Sequence, residues 1–249
     1  MSMSRKSGPR VEGVTQHILQ IFPTLSPRSS EEFSLPKWAE LVASVPIDYD
    51  SNAEIFGEQE PVQYLYKIVE GAVRTYRVLK DGRRQIAGFY LPGEFFGIEI
   101  GNEHALSAEA ITKSKVLIIK RNVLAVMAEQ DVAITQQLWN LTERELERAQ
   151  THAALLIMSA SERVAEFLLE MASRRPESLE IDLPMPQRDI ADYVGLTIET
   201  VSRILGSFES ANAIERPTTR RLVLRNRAAL NRPNGGGART SQLATKSPL

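Results

Sequence analysis

The run Pro186-Gln187-Arg188-Asp189-Ile190-Ala191-Asp192-Tyr193-Val194-Gly195-Leu196-Thr197-Ile198-Glu199-Thr200-Val201-Ser202-Arg203 decides how this chain is read. Ile190, Ala191 and Val194 recur at helical spacing, which predicts a short helix over Gln187–Val194 with those three facing inward. Gly195 follows at once, free to take the sharp turn that a helix-turn-helix needs between its helices. Leu196 fills the angle, and Thr197 is a good N-cap for a second helix, Ile198–Ala211. Val201, Ile204, Leu205 and Phe208 form that helix's apolar stripe. Left outward near its start are Ile198, Glu199, Ser202 and Arg203. This is the end of a recognition helix that meets base edges in the major groove. An arginine can give two hydrogen bonds to guanine O6 and N7, and a glutamate can accept from cytosine N4. Glu199 and Arg203 also stand four apart and lie side by side, so Glu199 can orient Arg203 as well; a mere surface ion pair is the plainer alternative. The helix, glycine and cap in front of them favour the base-reading role.

Downstream, Ala213–Arg216 and Arg220–Leu224 read as two short strands turning at Pro217-Thr218-Thr219, a hairpin in the position of a wing. Arg216, Arg220 and Arg221 would then lie where phosphates pass, adding affinity and salt dependence without sequence choice. The alternative is a solvated hairpin tip. Beyond Asn231 the sequence loses all periodicity and reads as a disordered tail.

Upstream, Asn122–Arg174 reads as helical nearly throughout. Trp139, Leu146 and Ala153 recur every seven residues, and Thr142, Ala149 and Leu156 repeat the pattern offset by three. Together they form an a/d-like seam with residues small enough for close helix approach. The repeat is short, and suits either a dimer interface or a helix buried in its own chain. The opposite stripe, Leu138, Leu141, Glu145 and Leu155, suits packing on a neighbouring domain. A further helix, Ala160–Ser173, begins after Ser159, and the prolines within Arg174–Pro184 end it.

Between Ile47 and Ile119 the texture is that of short strands: Gln63–Val69, Ala72–Leu79, Arg84–Tyr90, Ala108–Thr112 and Lys115–Ile119. They are separated by Glu70-Gly71, Asp81-Gly82, Pro92-Gly93 and Gly101-Asn102, and Asp81-Gly82 is a strong hairpin signal. Strands at this spacing predict a small antiparallel barrel or jelly roll. Before them lies a polar arm with one short apolar stretch, His17–Phe22, and a segment around Glu31–Val45 whose Phe33, Trp38, Leu41 and Val42 have the spacing of a short helix.

Composition narrows the chemistry. The chain has 249 residues, 43% hydrophobic and 24% charged, the balance of a globular protein with one or two domains. It has no cysteine, which excludes disulfides, thiolate zinc sites and clusters held by its own thiolates. His17, His104 and His152 are far apart and without metal-site spacing, so each is expected to be a surface or packing residue. A cupin-type metalloenzyme on the jelly roll would need clustered ligands, and only His104 lies near that region. No secretory signal and no membrane span are evident, and no cofactor, so a cytoplasmic, non-enzymatic protein is expected. Formal net charge is −1, but from Asp182 onward Lys and Arg number 10 against 6 Asp and Glu, leaving 20 against 25 in the remainder. An acidic body joined to a basic C-terminal part suits a module that meets polyanions.

The whole resembles the Crp/Fnr superfamily of bacterial regulators across roughly residues 45–230. The resemblance is carried by Glu70-Gly71, by Asp81-Gly82-Arg83-Arg84-Gln85, by Leu91-Pro92-Gly93-Glu94-Phe95-Phe96-Gly97, and by Arg188–Thr197 with Glu199-Thr200-Val201-Ser202-Arg203. It implies an α+β architecture: an arm (1–46), a β-roll of jelly-roll, cyclic-nucleotide-binding-like type (47–121), a long dimerisation helix (122–158), a winged helix-turn-helix (159–231) and a tail (232–249). The Glu-x-x-Ser-Arg reading head is similar to that of the Fnr and FixK branch, which implies a homodimer on TTGAT-type palindromes, mainly as an activator, in low-oxygen or nitrogen-fixation control. By the same resemblance Glu199, Ser202 and Arg203 face the bases, Ile198 offers an apolar contact, and Gln187, Thr197 and Thr200 touch phosphates. RNA polymerase is an implied partner, at Lys80–Arg83 and Arg174–Ile181. The cyclic-AMP branch has a ribose-binding carboxylate and a phosphate-binding arginine where this chain has Ile98 and Leu106, so binding of that nucleotide in the usual mode is not expected. Glu99, one place further on, is expected to point elsewhere.

Overall fold

The computed structural model describes residues 45–99, 101–175 and 178–230. The expected arm and tail lie outside these residues, apart from Val45 and Pro46.

Eight strands build the roll: β1 (Ile47–Tyr49), β2 (Glu54–Phe56), β3 (Tyr64–Glu70), β4 (Val73–Val78), β5 (Arg84–Tyr90), β6 (Phe95–Phe96), β7 (Ser107–Ala110) and β8 (Ser114–Lys120). They form two antiparallel four-stranded sheets, ordered β1-β8-β3-β6 and β2-β7-β4-β5. Strand alternation sorts the side chains. Tyr66 and Ile68 of β3 and Val116 of β8 turn into the roll, where they meet Phe56, Val73, Tyr90, Phe96 and Ala108. Leu65 and Ile119 turn to the other face and meet the helices. The sequence reading finds the five longer strands. It misses β1, β2 and β6, which span two or three residues.

Two turns show what the glycines do. At Gly71, φ is +89° and an added Cβ would lie 2.3 Å from Ser114 Oγ and 2.5 Å from the Lys113 carbonyl, so the β3–β4 turn passes another backbone too closely for any side chain. At the Asp81-Gly82 tip the Asp81 carboxylate accepts the Arg83 N–H at 3.1 Å, and Gly82 donates to the Leu79 carbonyl at 2.9 Å.

The helix expected over 122–158 is two helices, α1 (Arg121–Gln130) and α2 (Val132–Leu155). The break falls at Asp131, whose extended backbone and side chain cap α2 by accepting the Ala133 N–H. Leu138 and Leu141 of α2 pack, with Met127, against Leu65, Phe95, Ile119, Leu124 and Ile134, and Leu155 is buried. Tyr90 donates to Glu145 at 2.7 Å. The opposite stripe of the long helix therefore covers the roll, as its pattern predicts. A capping box of Ser159 and Glu162 starts α3 (Ala160–Ser173).

The C-terminal domain adds β9 (Glu180–Asp182), α4 (Gln187–Val194), α5 (Ile198–Ser210), β10 (Ile214–Thr218), β11 (Arg221–Leu224) and a short α6 (Arg227–Leu230). Its sheet runs β10-β11-β9. The third strand is absent from the sequence reading, because three residues between prolines carry no period. Its core is continuous with part of the roll. Ala72, Ile86, Phe89 and Ile111 join Phe167, Leu168, Tyr193, Leu205 and Phe208 in one buried cluster.

Candidate nucleic-acid interface

Helices α4 and α5 form the expected helix-turn-helix. Ile190, Ala191 and Val194 are buried, as are Val201, Ile204, Leu205 and Phe208. Gly195 ends α4 with φ +66°, and the Leu196 N–H bonds the Ala191 carbonyl at 3.0 Å, closing the helix with a left-handed cap. Leu196 packs half-buried on the core. Thr197 caps α5 by accepting the Thr200 N–H at 3.3 Å, and the two threonine hydroxyls lie 3.1 Å apart.

This burial leaves one face of α5 bare. Ile198, Glu199, Ser202 and Arg203 are all exposed. The Glu199 carboxylate accepts hydrogen bonds from its own backbone N–H and from Thr197, which hold its pKa below the usual glutamate value. It is thus a ready anionic acceptor at neutral pH. Among the described residues no ion pair joins it to Arg203, so the i,i+4 pairing weighed from the sequence is not formed here. Arg203 projects its guanidinium one turn further along the face.

The flanking polar residues divide. Gln187 is half-buried at the start of α4, and Thr200 is half-buried behind the exposed Thr197. The hairpin turns at Thr219-Arg220, since Thr218 pairs with Arg221, rather than at Pro217-Thr218-Thr219. Arg220 is exposed at this tip. Arg221 is exposed, with its Nε 3.7 Å from Asp182 and 3.9 Å from Glu180. Arg216 differs: it is half-buried and hydrogen-bonded to Glu209 at the far end of α5, which lowers the Glu209 pKa. Its guanidinium staples the wing to the recognition helix.

The seam residues Trp139, Thr142, Leu146, Ala149 and Ala153 of α2, and Leu156 at its C-cap, are all exposed, Trp139 at 70% and Leu146 at 58%. Trp139, Leu146 and Leu156 are thus large apolar groups bare to water along one face.

The roll's interior is closed by its own rings. Tyr66 lies 5.1 Å from both Phe56 and Phe96, and Tyr90 lies 5.5 Å from Phe96, centroid to centroid. Ile98 packs with Leu65 and Phe95 rather than lining a polar site. Glu99 pairs with buried His104 at Nδ1, 2.6 Å, and accepts the Ala105 N–H at 2.9 Å. The Ala105 N–H is therefore taken by a carboxylate of the chain itself. His152 stacks on Tyr193, centroids 4.3 Å apart, so both described histidines are packing residues. Among the described residues, no group of three or more histidines and carboxylates could hold a metal ion, and no helix is long and apolar enough to cross a membrane.

Sequence reasoning did not reach the contacts that tie this head to the roll. Arg74 of β4 bonds Asp189 of α4 at 2.6 Å and Glu109 at 2.7 Å, and Arg84 of β5 bonds both Asp189 and Asp192. The pairs that reach α4 lie 105 to 115 residues apart, and no local pattern announces them.

Comparison with known proteins agrees with this construction. Residues 46–131 match the model of the cyclic nucleotide-binding domain and residues 162–232 that of the Crp-like helix-turn-helix domain. The chain is 40% identical over 210 residues to the nitrogen fixation regulation protein FixK of Azorhizobium caulinodans, covering 82% of this chain and 85% of that protein. It is 37% identical to the transcriptional activatory protein AadR of Rhodopseudomonas palustris, covering 79% and 81%. The solved structure of FixK2 from Bradyrhizobium japonicum superposes with a TM-score of 0.73 at 47% identity, covering 76% of this chain and 96% of that one. With a roll of the cyclic-nucleotide-binding type and a helix-turn-helix whose reading face is bare, the chain belongs to the Crp/Fnr family of transcription regulators.

Proposed function

We propose that this regulator acts as a homodimer on two-fold palindromes of TTGAT type, mainly as an activator, with no cyclic nucleotide and no iron–sulfur cluster. The observation that carries this reading is the exposed row Ile198, Glu199, Ser202 and Arg203 on a helix whose other face is wholly buried. Arg203 would donate to guanine and Glu199 accept from cytosine. Ser202 would meet a base edge between them, and Ile198 would touch a thymine methyl. Gln187, Thr197, Thr200, Arg220 and Arg221 would hold phosphates, and Arg216 would serve mainly by fixing the wing. The bare seam on α2 would be covered by the same seam of a second copy, setting two reading heads about 34 Å apart, one turn of duplex.

The chain's lack of cysteine leaves it no thiolate ligands for a cluster. The ring-filled roll and the Glu99–His104 pair support the absence of a nucleotide effector. The names of the relatives in Azorhizobium and Rhodopseudomonas place them in nitrogen fixation control and transcriptional activation, and the same field of regulation, low-oxygen or nitrogen-fixation genes, is assigned to this chain. For RNA polymerase, the Lys80–Arg83 tip is exposed and flanked by Val78, exposed at 56%, and Leu79 at 38%. The second surface, Arg174–Ile181, lies partly outside the described residues.

The test is a gel shift with purified protein on a TTGAT-type palindrome, with and without cyclic AMP. A specific complex that cyclic AMP does not strengthen is expected. Equal binding to palindrome and random duplex, or binding only with the nucleotide, would overturn the reading.

A further inference from the structure

We propose that the ion cluster of Arg74, Arg84, Asp189 and Asp192, in which Arg74 and Asp189 are buried, fixes the orientation of the reading head on the roll, and thereby sets which half-site spacing the dimer accepts. The inference rests on the palindrome-binding dimer of the preceding section and goes beyond it by naming the residues that set its geometry.

Two kinds of contact join head and roll. The first is the shared apolar core around Ala72, Ile86, Phe89 and Ile111. Apolar contact is strong but non-directional, so by itself it tolerates sliding and rotation. The second is directional. The Asp189 side chain is 2% exposed and takes Arg74 on one oxygen and Arg84 on the other. Arg74, at 7%, divides its guanidinium between Asp189 and Glu109, with Asn52 Oδ1 at 3.3 Å. Arg84 reaches on to Asp192 at 2.8 Å with one nitrogen and 3.0 Å with another, and lies over the Tyr76 ring. Guanidinium–carboxylate pairs are satisfied in one planar geometry. A rotated head would leave Asp189 without its partners and Arg74 with Glu109 alone, and the cost of an unpaired buried carboxylate opposes that rotation. The charges thus select one pose from the many that the core allows.

That pose is compatible with reading. Asp189 lies in α4, directly ahead of α5, and the docked head leaves Glu199, Ser202 and Arg203 exposed. Further bonds hold the end of α4 from behind: His152 Nε2 is 2.8 Å from the Tyr193 carbonyl, and Arg163 donates to the Val194 carbonyl at 3.2 Å. The roll and α2, which carries the dimer seam, therefore act on the same short helix.

The test uses the full chain with Asp189→Asn and with Arg84→Gln. Arg84 is 23% exposed, so its variant is expected to keep the fold. Fluorescence anisotropy compares a palindrome of preferred spacing, palindromes with one base pair added or removed, and a single half-site duplex. One added base pair turns the half-sites by about 34° and shifts them by about 3.4 Å. The wild type is expected to prefer one spacing. The variants are expected to lose that preference by on the order of tenfold, with single-half-site affinity changed less than about twofold. Arg84→Lys, which keeps a cation beside Asp189 and Asp192, is expected to keep more of the preference than Arg84→Gln. A DNA-free readout runs in parallel. The chain has no native cysteine, so Ser210→Cys can carry one spin label per protomer. A single narrow distance across the dimer is expected, broadened by Arg84→Gln. Folded variants that keep full spacing preference and a narrow distance would overturn the proposal. So would variants that bind the preferred palindrome more tightly, since the cluster would then restrain the head from DNA. A wild type that binds palindrome and single half-site alike removes the dimer reading itself, and this inference with it.

Discussion

Replacing Leu146 by glutamate tests the seam on α2. Leu146 is 58% exposed in the single chain, and a fully buried leucine contributes about 1.5–3 kcal/mol. Covering the exposed part should therefore be worth roughly 1–1.5 kcal/mol per protomer, and a two-fold interface counts it twice. The substitution also places two carboxylates near each other across the axis, beside Trp139 and Ala149. A combined weakening of about 3–4 kcal/mol corresponds to a dimer dissociation constant raised on the order of 10²–10³-fold. Sedimentation equilibrium over a range of concentrations measures this directly. The control is Leu141→Glu, one turn back toward the roll. Leu141 packs on the Leu65–Phe95–Ile119 cluster, so its variant should lower the Tm of the fold itself. The reasoning fails if Leu146→Glu leaves the monomer–dimer equilibrium unchanged while the protein stays folded.

Other substitutions probe the parts around the seam. Gly71→Ala should cost several kcal/mol, since the new methyl would meet Ser114 and the Lys113 carbonyl below 3 Å in a positive-φ turn; urea unfolding would show a lowered midpoint with the same slope. Ser159→Ala should cost about 1 kcal/mol by removing the capping box of α3. The cap's hydrogen bonds hold the Glu162 pKa below the ordinary glutamate value, so its contribution is full above the unfolded pKa and fades as pH falls through the folded one. The Tm gap between wild type and variant should accordingly narrow in acid, and a gap that widens there would contradict the assignment. Arg220→Ala should weaken operator and random DNA alike and reduce the salt slope by about one.

The parts legible in the sequence are those with a local period or a local cap. The head could be read because Gly195 and Thr197 fix where two helices end and begin, and because Val201, Ile204, Leu205 and Phe208 fix which face is hidden. The five longer strands and the Asp81-Gly82 hairpin were legible for the same reason. Strands of two or three residues, such as β6, hold too few side chains to show alternation. The break at Asp131 was missed because the apolar spacing of Leu124, Ile134 and Leu138 continues across it. The interdomain ion cluster was hidden for a different reason. On a helical wheel Asp189 and Asp192 look like solvated charges of α4, and only the tertiary fold brings β4 and β5 beside them. Arg216 likewise looks like a free cation in the sequence, and only the fold brings Glu209, nearly two turns along α5 from Arg203, to its guanidinium.

Affinity of the wild type and of Arg203→Ala for a TTGAT-type palindrome and for random duplex, measured at one salt concentration, tests the claim that α5 reads bases. The expected result is a loss of about 1–3 kcal/mol per half-site on the palindrome, with relaxed choice at the guanine and random-duplex binding nearly unchanged. Equal losses on both duplexes would show that Arg203 only touches phosphate, and would contradict the account.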